Sequence, residues 1–173
     1  DAFIDEIKNN NNFHPSLKLH LSEKTNIIKY MNLSEEFKKK PDLIVLGVNS
    51  KGINWVVDQL SVILNDSILP PILMLTKGLS VYENKYELLV DKLERLLISK
   101  GYKNINISAV GGPCLAIGLA NKVHTSVIFA NKNLETVGWL KDILTTDYYH
   151  PSISNDMIGV EVCAAIKNIF SMV

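Results

Sequence analysis

The sequence predicts an α/β fold with a mostly parallel sheet, and three features carry that prediction. First, short apolar runs alternate with amphipathic helical stretches from Asp42 to Leu144. Such alternation builds right-handed βαβ units around a parallel sheet. Second, the runs Asp42–Val48, Ile72–Leu75 and Asn106–Val110 each feed a marked turn: Gly47-Val48-Asn49-Ser50, Thr76-Lys77-Gly78-Leu79 and Val110-Gly111-Gly112-Pro113. Parallel strands would gather these turns at one sheet edge, where open α/β sheets take their ligands. Third, the final helical run Ile158–Val173 is nearly uncharged yet carries Lys167-Asn168.

The elements follow in order. Phe3, Ile4 and Ile7 at helical spacing predict a short helix over Asp1–Asn10, and Asn9–Asn12 reads as a solvated break. Asn26–Met31 reads as a short strand, and Leu33–Lys40 as a helix capped by Ser34 and stopped by Pro41. The unbroken run Leu43-Ile44-Val45-Leu46 suits a strand buried on both faces. Ile53–Leu64 is an amphipathic helix, and Ile72–Leu75 the next strand. Tyr82–Lys100 carries one apolar stripe (Tyr86, Leu89, Val90, Leu93, Leu96, Leu97), which predicts a single helix closed by Gly101. Then come the strand Asn106–Val110, the short helix Pro113–Asn121, the strand Thr125–Ala130 and the helix Leu134–Leu144. Asp147–Asn155 reads as a linker, followed by a helix from near Asp156 that Ser154 or Asn155 would cap.

Composition narrows the function. Lys+Arg and Asp+Glu are both 18, so the net charge is zero, with no electrostatic reason to expect nucleic acid or an anionic membrane surface as a partner. No apolar run reaches the roughly 20 residues of a membrane span. Cys114 and Cys163 lie far apart without metal-ligand spacing, which predicts reduced thiols and a cytoplasmic protein. The four histidines (His14, His20, His124, His150) are scattered, so no metal site is expected. Trp55 and Trp139 fall on helices and read as packing residues. No Gly-x-Ser-x-Gly turn supports a hydrolase. The opening at Asp1 and the close inside a helical pattern predict an internal piece of a longer polypeptide.

Three positions stand out chemically. Lys77 follows a buried strand and precedes glycine; there an ammonium would face the crevice and suit a phosphate or carboxylate, although a solvated turn lysine has the same sequence. Gly111-Gly112-Pro113 lets backbone approach a ligand ahead of a helix N-terminus, although a tight turn alone would also explain it. Lys167 shares a stripe with Val160, Cys163 and Ala164. Burial there would lower its pKa toward that of a general acid or base, whereas a snorkelling lysine would keep its ordinary value.

At these residues the chain resembles NAD(P)-dependent glycerol-3-phosphate dehydrogenases. Pro41–Ser50 is similar to the family's strand and cofactor-facing turn, Leu75-Thr76-Lys77-Gly78-Leu79 to its Thr-Lys-Gly segment, and Gly111–Ala116 to its Gly-Pro-Ser-Phe-Ala turn. Asp156-Met157-Ile158-Gly159-Val160-Glu161 with Ala165-Ile166-Lys167-Asn168 resembles the Asp-x-x-Gly-x-Glu…Leu-Lys-Asn helix, the most specific of the four. The resemblance implies a Rossmann-like sheet, present in part, over residues 1–150. Residues 151–173 would then be a linker and the first helix of an all-helical substrate domain. It implies NAD or NADP as cofactor and a small phosphorylated substrate, in glycerol phosphate metabolism and phospholipid biosynthesis, and leaves a homodimer open. Lys167 would be catalytic, exchanging a proton with the substrate C2 oxygen. Lys77, Gly112, Cys114 and Asn168 would bind substrate, and Ser50, Lys77 and Ala116 cofactor. No metal is implied.

The chain departs from the family at Asn49 (usually proline), Cys114 (usually serine or threonine) and Gly118 (usually glutamate). It also lacks the family's Gly-x-Gly-x-x-Gly unit and C-terminal domain, so the isolated chain is expected to be inactive. The residue that selects NAD over NADP is expected before Asp1. Alternative readings are a related 3-hydroxyacid or ketopantoate-type dehydrogenase, and a degenerate Rossmann-like binding module without activity.

Overall fold

A computed structural model describes residues 2–63 and 69–170, with side chains described as far as Lys167. A five-stranded sheet forms the centre, in the order β3 (Ile44–Leu46), β4 (Ile72–Met74), β7 (Ile107–Gly111), β8 (Thr125–Ala130), β9 (Tyr149–Ser154). β3, β4 and β7 are mutually parallel, β8 runs antiparallel to β7, and β9 is parallel to β8. The predicted α/β class and mostly parallel sheet are therefore present.

Strand alternation decides which layer each side chain joins. Ile44, Leu46, Ile72, Met74, Ile107 and Ala109 pack on one face against α3 (Ile53–Ile63), α4 (Leu89–Ser99) and the start of α7 (Met157–Phe170). Leu73, Val110, Val127 and Phe129 pack on the other against α6 (Leu134–Leu144). Phe129, Val137 and Leu140 are fully buried; each such side chain contributes roughly 1.5–3 kcal/mol. The buried Tyr102 hydroxyl donates to the Leu60 carbonyl at 2.9 Å, tying the loop after α4 to α3. Ahead of the sheet lie α1 (Ala2–Asn9), the two-residue strands β1 (Phe13–His14) and β2 (Leu19–His20), and the short α2 (Leu33–Phe37).

The structure corrects several expectations. Asn26–Met31 contains no strand; Tyr30–Asn32 is a 3-10 turn. The stretch from Tyr82 is not one helix. Leu79–Tyr82 (β5) and Lys85–Leu88 (β6) form a hairpin in the register Leu79↔Leu88, and only Leu89–Ser99 is helical. The hairpin turns through Glu83 and Asn84 at φ 49° and 60°, the two-residue turn whose twist matches antiparallel strands. Arg95 of α4 pairs with Glu87 at 2.8 and 3.0 Å and lies 3.8 Å over the Tyr82 ring, fastening the hairpin to the helix that follows it.

The linker read over Asp147–Asn155 is strand β9, paired with β8 along its length. Pro151 fits there because β9 is an edge strand and its missing N–H costs no ladder bond. The short helix expected from Pro113 begins at Ala116. Trp55 and Trp139, read as packing residues, are 45% and 37% exposed. His124 and His150, read as scattered, share a hydrogen bond of 3.0 Å between Nδ1 and Nε2. Among the described residues no group of three or more acids, histidines or cysteines could hold a metal ion. None of the described helices is long and apolar enough to cross a membrane.

Candidate active site

Parallel pairing of β3, β4 and β7 brings their carboxyl ends together, so the three marked turns meet at one sheet edge. Side chains then link them. Thr76 Oγ1 donates to the Val48 carbonyl at 2.6 Å, joining the second turn to the first. Lys77 Nζ donates to the Gly112 carbonyl at 3.0 Å, joining the second to the third. Asn49, in place of the family's proline, accepts the Gly52 N–H at 2.9 Å and so caps the 3-10 turn Ser50–Gly52. Ser50 begins that turn on the crevice side of β3.

Gly112 could be no other residue without strain. Its φ is +122°, and a Cβ there would lie 3.0 Å from both the Ser126 carbonyl oxygen and Val127 Cα. Gly111 serves a different contact: a Cβ on it would come within 2.8 Å of Val160 Cγ1, so its absence lets α7 pack directly on β7. Gly47 is exposed, and a Cβ there would meet only Leu75 Cδ1 at 4.0 Å, leaving the first turn's backbone open to a ligand. Cys114 is half-buried beside Tyr149, whose hydroxyl is pushed up to about 12 by burial and then by the Cys114 thiol. Ala116 is exposed at the start of α5 (Ala116–Ala120). Gly118, within α5, has only Val123 Cβ near the position of a side chain, at 3.9 Å, so the backbone does not require glycine there.

α7 delivers Lys167. Asp156 Oδ1 accepts the Gly159 N–H at 2.8 Å and caps the helix, and Ser154 Oγ accepts the Asp156 N–H at 3.0 Å. The cap is thus Asp156, not Ser154 or Asn155. Gly159 belongs to the same device, because a Cβ on it would collide with the Asp156 carboxylate. This gives the Asp-x-x-Gly part of the motif a structural cause.

Lys167 lies on the described end of α7, close enough that its charge, after burial, is the second cause lowering the Lys77 pKa. The sequence left Lys167 open between a desolvated and a snorkelling side chain. Lys167 is exposed, and Lys77 is the half-buried lysine whose amine is pushed below its ordinary value. Lys77 therefore sits on the Gly112 carbonyl, with Lys167 and Cys114 near enough for their charges to act on its amine. The Asn168 side chain lies outside the described residues.

One residue of this region was not singled out from the sequence. Glu161 is the sole acid of α7, 4% exposed, and Val90 N–H donates to its Oε2 at 3.3 Å. Burial pushes its carboxyl up to about 7; Asp91 adds to the rise, and hydrogen bonds from Val90 and Leu89 N–H oppose it. An acid alone in an apolar helix was the available signal.

A sheet whose parallel strands bring three turns to one carboxyl edge places the chain among open α/β folds, the architecture in which that edge commonly receives ligands. The family profile described as NAD-dependent glycerol-3-phosphate dehydrogenase N-terminus matches residues 1–137, and the chain belongs to that family. It is 30% identical over 172 residues to a glycerol-3-phosphate dehydrogenase [NAD(P)+] of Rickettsia bellii, covering 98% of this chain and 49% of that protein. It is 25% identical over 138 residues to an NADP(+)-dependent glycerol-3-phosphate dehydrogenase of Archaeoglobus fulgidus, covering 80% and 39%. The crystal structure of a glycerol-3-phosphate dehydrogenase from Coxiella burnetii shares the fold, with a TM-score of 0.75 at 20% identity over 99% of this chain and 49% of that one. The chain spans about half, or less, of the length of these relatives.

Proposed function

We propose that the chain forms the nicotinamide-facing crevice of an NAD(P)-dependent dehydrogenase that interconverts sn-glycerol 3-phosphate and dihydroxyacetone phosphate. The observation that carries this reading is Lys77 held on the Gly112 carbonyl at 3.0 Å, with Lys167 near enough for its charge to act on the Lys77 amine. Two amines near one another at the strand ends suit an anionic substrate whose C2 oxygen gains negative charge during reaction. The open backbone at Gly47 and the exposed Ala116 fit a dinucleotide lying along the strand ends. When bound, the nicotinamide supplies or accepts the hydride at C2.

The chain's own residues do the rest. Lys167 moves the proton to and from the C2 oxygen. Lys77, held by the Gly112 carbonyl, orients substrate and cofactor, and Gly112, Cys114 and Asn168 line the substrate side. Ser50 and Ala116 contact the cofactor. α7 opens the helical substrate domain, and the exposed edge strand β3, with Val45 49% exposed, is where an upstream Gly-x-Gly-x-x-Gly unit would pair.

The test is Lys167→Ala in the complete polypeptide. Turnover of dihydroxyacetone phosphate with reduced cofactor should fall on the order of 10²–10⁴-fold, the usual worth of general acid–base catalysis. Near-normal turnover removes Lys167 from the proton step. Wild-type activity on hydroxycarboxylates but not on the phosphate ester points to the 3-hydroxyacid or ketopantoate type, and no dinucleotide binding at all to a non-enzymatic module.

A further inference from the structure

We propose that Glu161 is a positioning residue that sets the spacing of Lys77 and Lys167 by capping helix α4 from helix α7; this rests on the reading of the two lysines given above. α4 lacks a cap of its own: Leu88 stands at its N-cap with no side-chain hydrogen bond. Its first amides would otherwise be orphaned in a buried place. The Glu161 carboxylate reaches them from outside, accepting from Val90 N–H at 3.3 Å and also from Leu89 N–H.

Those amides sit at the root of the Lys77 turn. Leu88 pairs with Leu79 in the hairpin, two residues from Lys77. Leu89 Cδ1 lies 3.7 Å from where a Cβ of Gly78 would be, so the start of α4 packs against Lys77's neighbour. On the opposite side, Val160 rests against Gly111 in the contact that only glycine permits. Consecutive residues of α7 therefore grip the two turns that Lys77 bridges. Val160 holds the diglycine corner and Glu161 holds the base of the lysine turn. Lys167 follows six residues on, about 9 Å along the helix axis, and its position relative to Lys77 is inherited from that grip. The clamp needs an acceptor oxygen rather than a charge, since a neutral carboxyl or carboxamide oxygen accepts the same amides.

The experiment compares Glu161→Ala and Glu161→Gln in the complete polypeptide. Loss of the cap in Glu161→Ala should speed hydrogen exchange of the Leu89 and Val90 amides by about tenfold, the scale of a missing cap. It should lower kcat on the order of 10²-fold through misplacement of the lysines, with KM for the dinucleotide little changed. Glu161→Gln should restore slow exchange and most of kcat. If Glu161→Ala does not fold, Glu161→Asp, one methylene too short to reach, replaces it. Unchanged kcat in a folded Glu161→Ala protein overturns the proposal. So does a Gln variant as impaired as Ala, which would make the carboxyl itself part of the chemistry. A wild type inactive on glycerol 3-phosphate would overturn the functional reading instead, and amide exchange would still decide whether the clamp exists.

Discussion

Lys77 and Glu161 show how burial, rather than residue type, assigns chemical character. Lys77 lies under the third turn and loses water, so its amine releases its proton more readily than a surface lysine, and the Lys167 charge adds to that. Glu161 is buried against the start of α4, so its carboxyl holds its proton to about pH 7 with Asp91 adding to the rise. The consequence for stability has a definite sign. The unfolded chain ionises Glu161 near its ordinary 4.5 and the folded one near 7, so the fold binds more protons between those values. The contribution is full below about pH 4.5 and is lost as pH rises through about 7, on the order of 3 kcal/mol in all. Denaturant melts at pH 5.5 and pH 8 should therefore show wild type losing stability relative to Glu161→Gln at the higher pH. A pH-independent difference between the two proteins would mean that the carboxyl is solvated.

At the scale of elements, local signals compete and tertiary partners choose. Tyr82, Tyr86, Leu89 and Val90 satisfy a helical stripe as well as a strand followed by a helix. The hairpin wins because Glu83-Asn84 accepts a left-handed turn and Arg95 reaches back to Glu87 and Tyr82. β9 was hidden for the converse reason. Its exposed residues, His150, Ser152 and Ile153, show no clean alternation, and it contains proline, which an edge tolerates. The buried polar knot beneath it was equally silent in sequence: Asn131 Nδ2 donates to Asn106 Oδ1, the Ile107 carbonyl and Ser108 Oγ at 2.8 to 3.0 Å, tying β8 to β7. α6 illustrates an element that is under-optimised. Gly138 sits inside it with nothing within 4 Å of a Cβ position. Gly138→Ala should stabilise the protein by about 1 kcal/mol, visible as a raised Tm, because the helix then loses less backbone entropy on folding.

For the whole molecule, the site is a property of chain crossing. Lys77 and Lys167 are brought together only because β3, β4 and β7 are parallel and α7 returns across β7 through the gap left by Gly111. β3 remains an edge with an apolar side chain exposed. This motivates the expectation that the 173-residue chain alone binds nicotinamide dinucleotides weakly and turns over no substrate. Titration calorimetry of the chain against NADH and NADPH checks it, and robust turnover by the chain alone would show that the crevice is complete as it stands.

The α/β class, the strands β3, β4, β7 and β8, the three turns and the lysine-bearing last helix were all legible in the order of residues, although β3, read as buried on both faces, is an edge strand that exposes Val45. Each depends on local periodicity or on a glycine whose backbone freedom is intrinsic. Which lysine is desolvated, which acid caps which helix, and that Tyr149–Ser154 is a strand were decided only by the tertiary structure. Desolvation, capping from a distant helix and edge pairing depend on neighbours that are remote in the chain, and no local pattern records them.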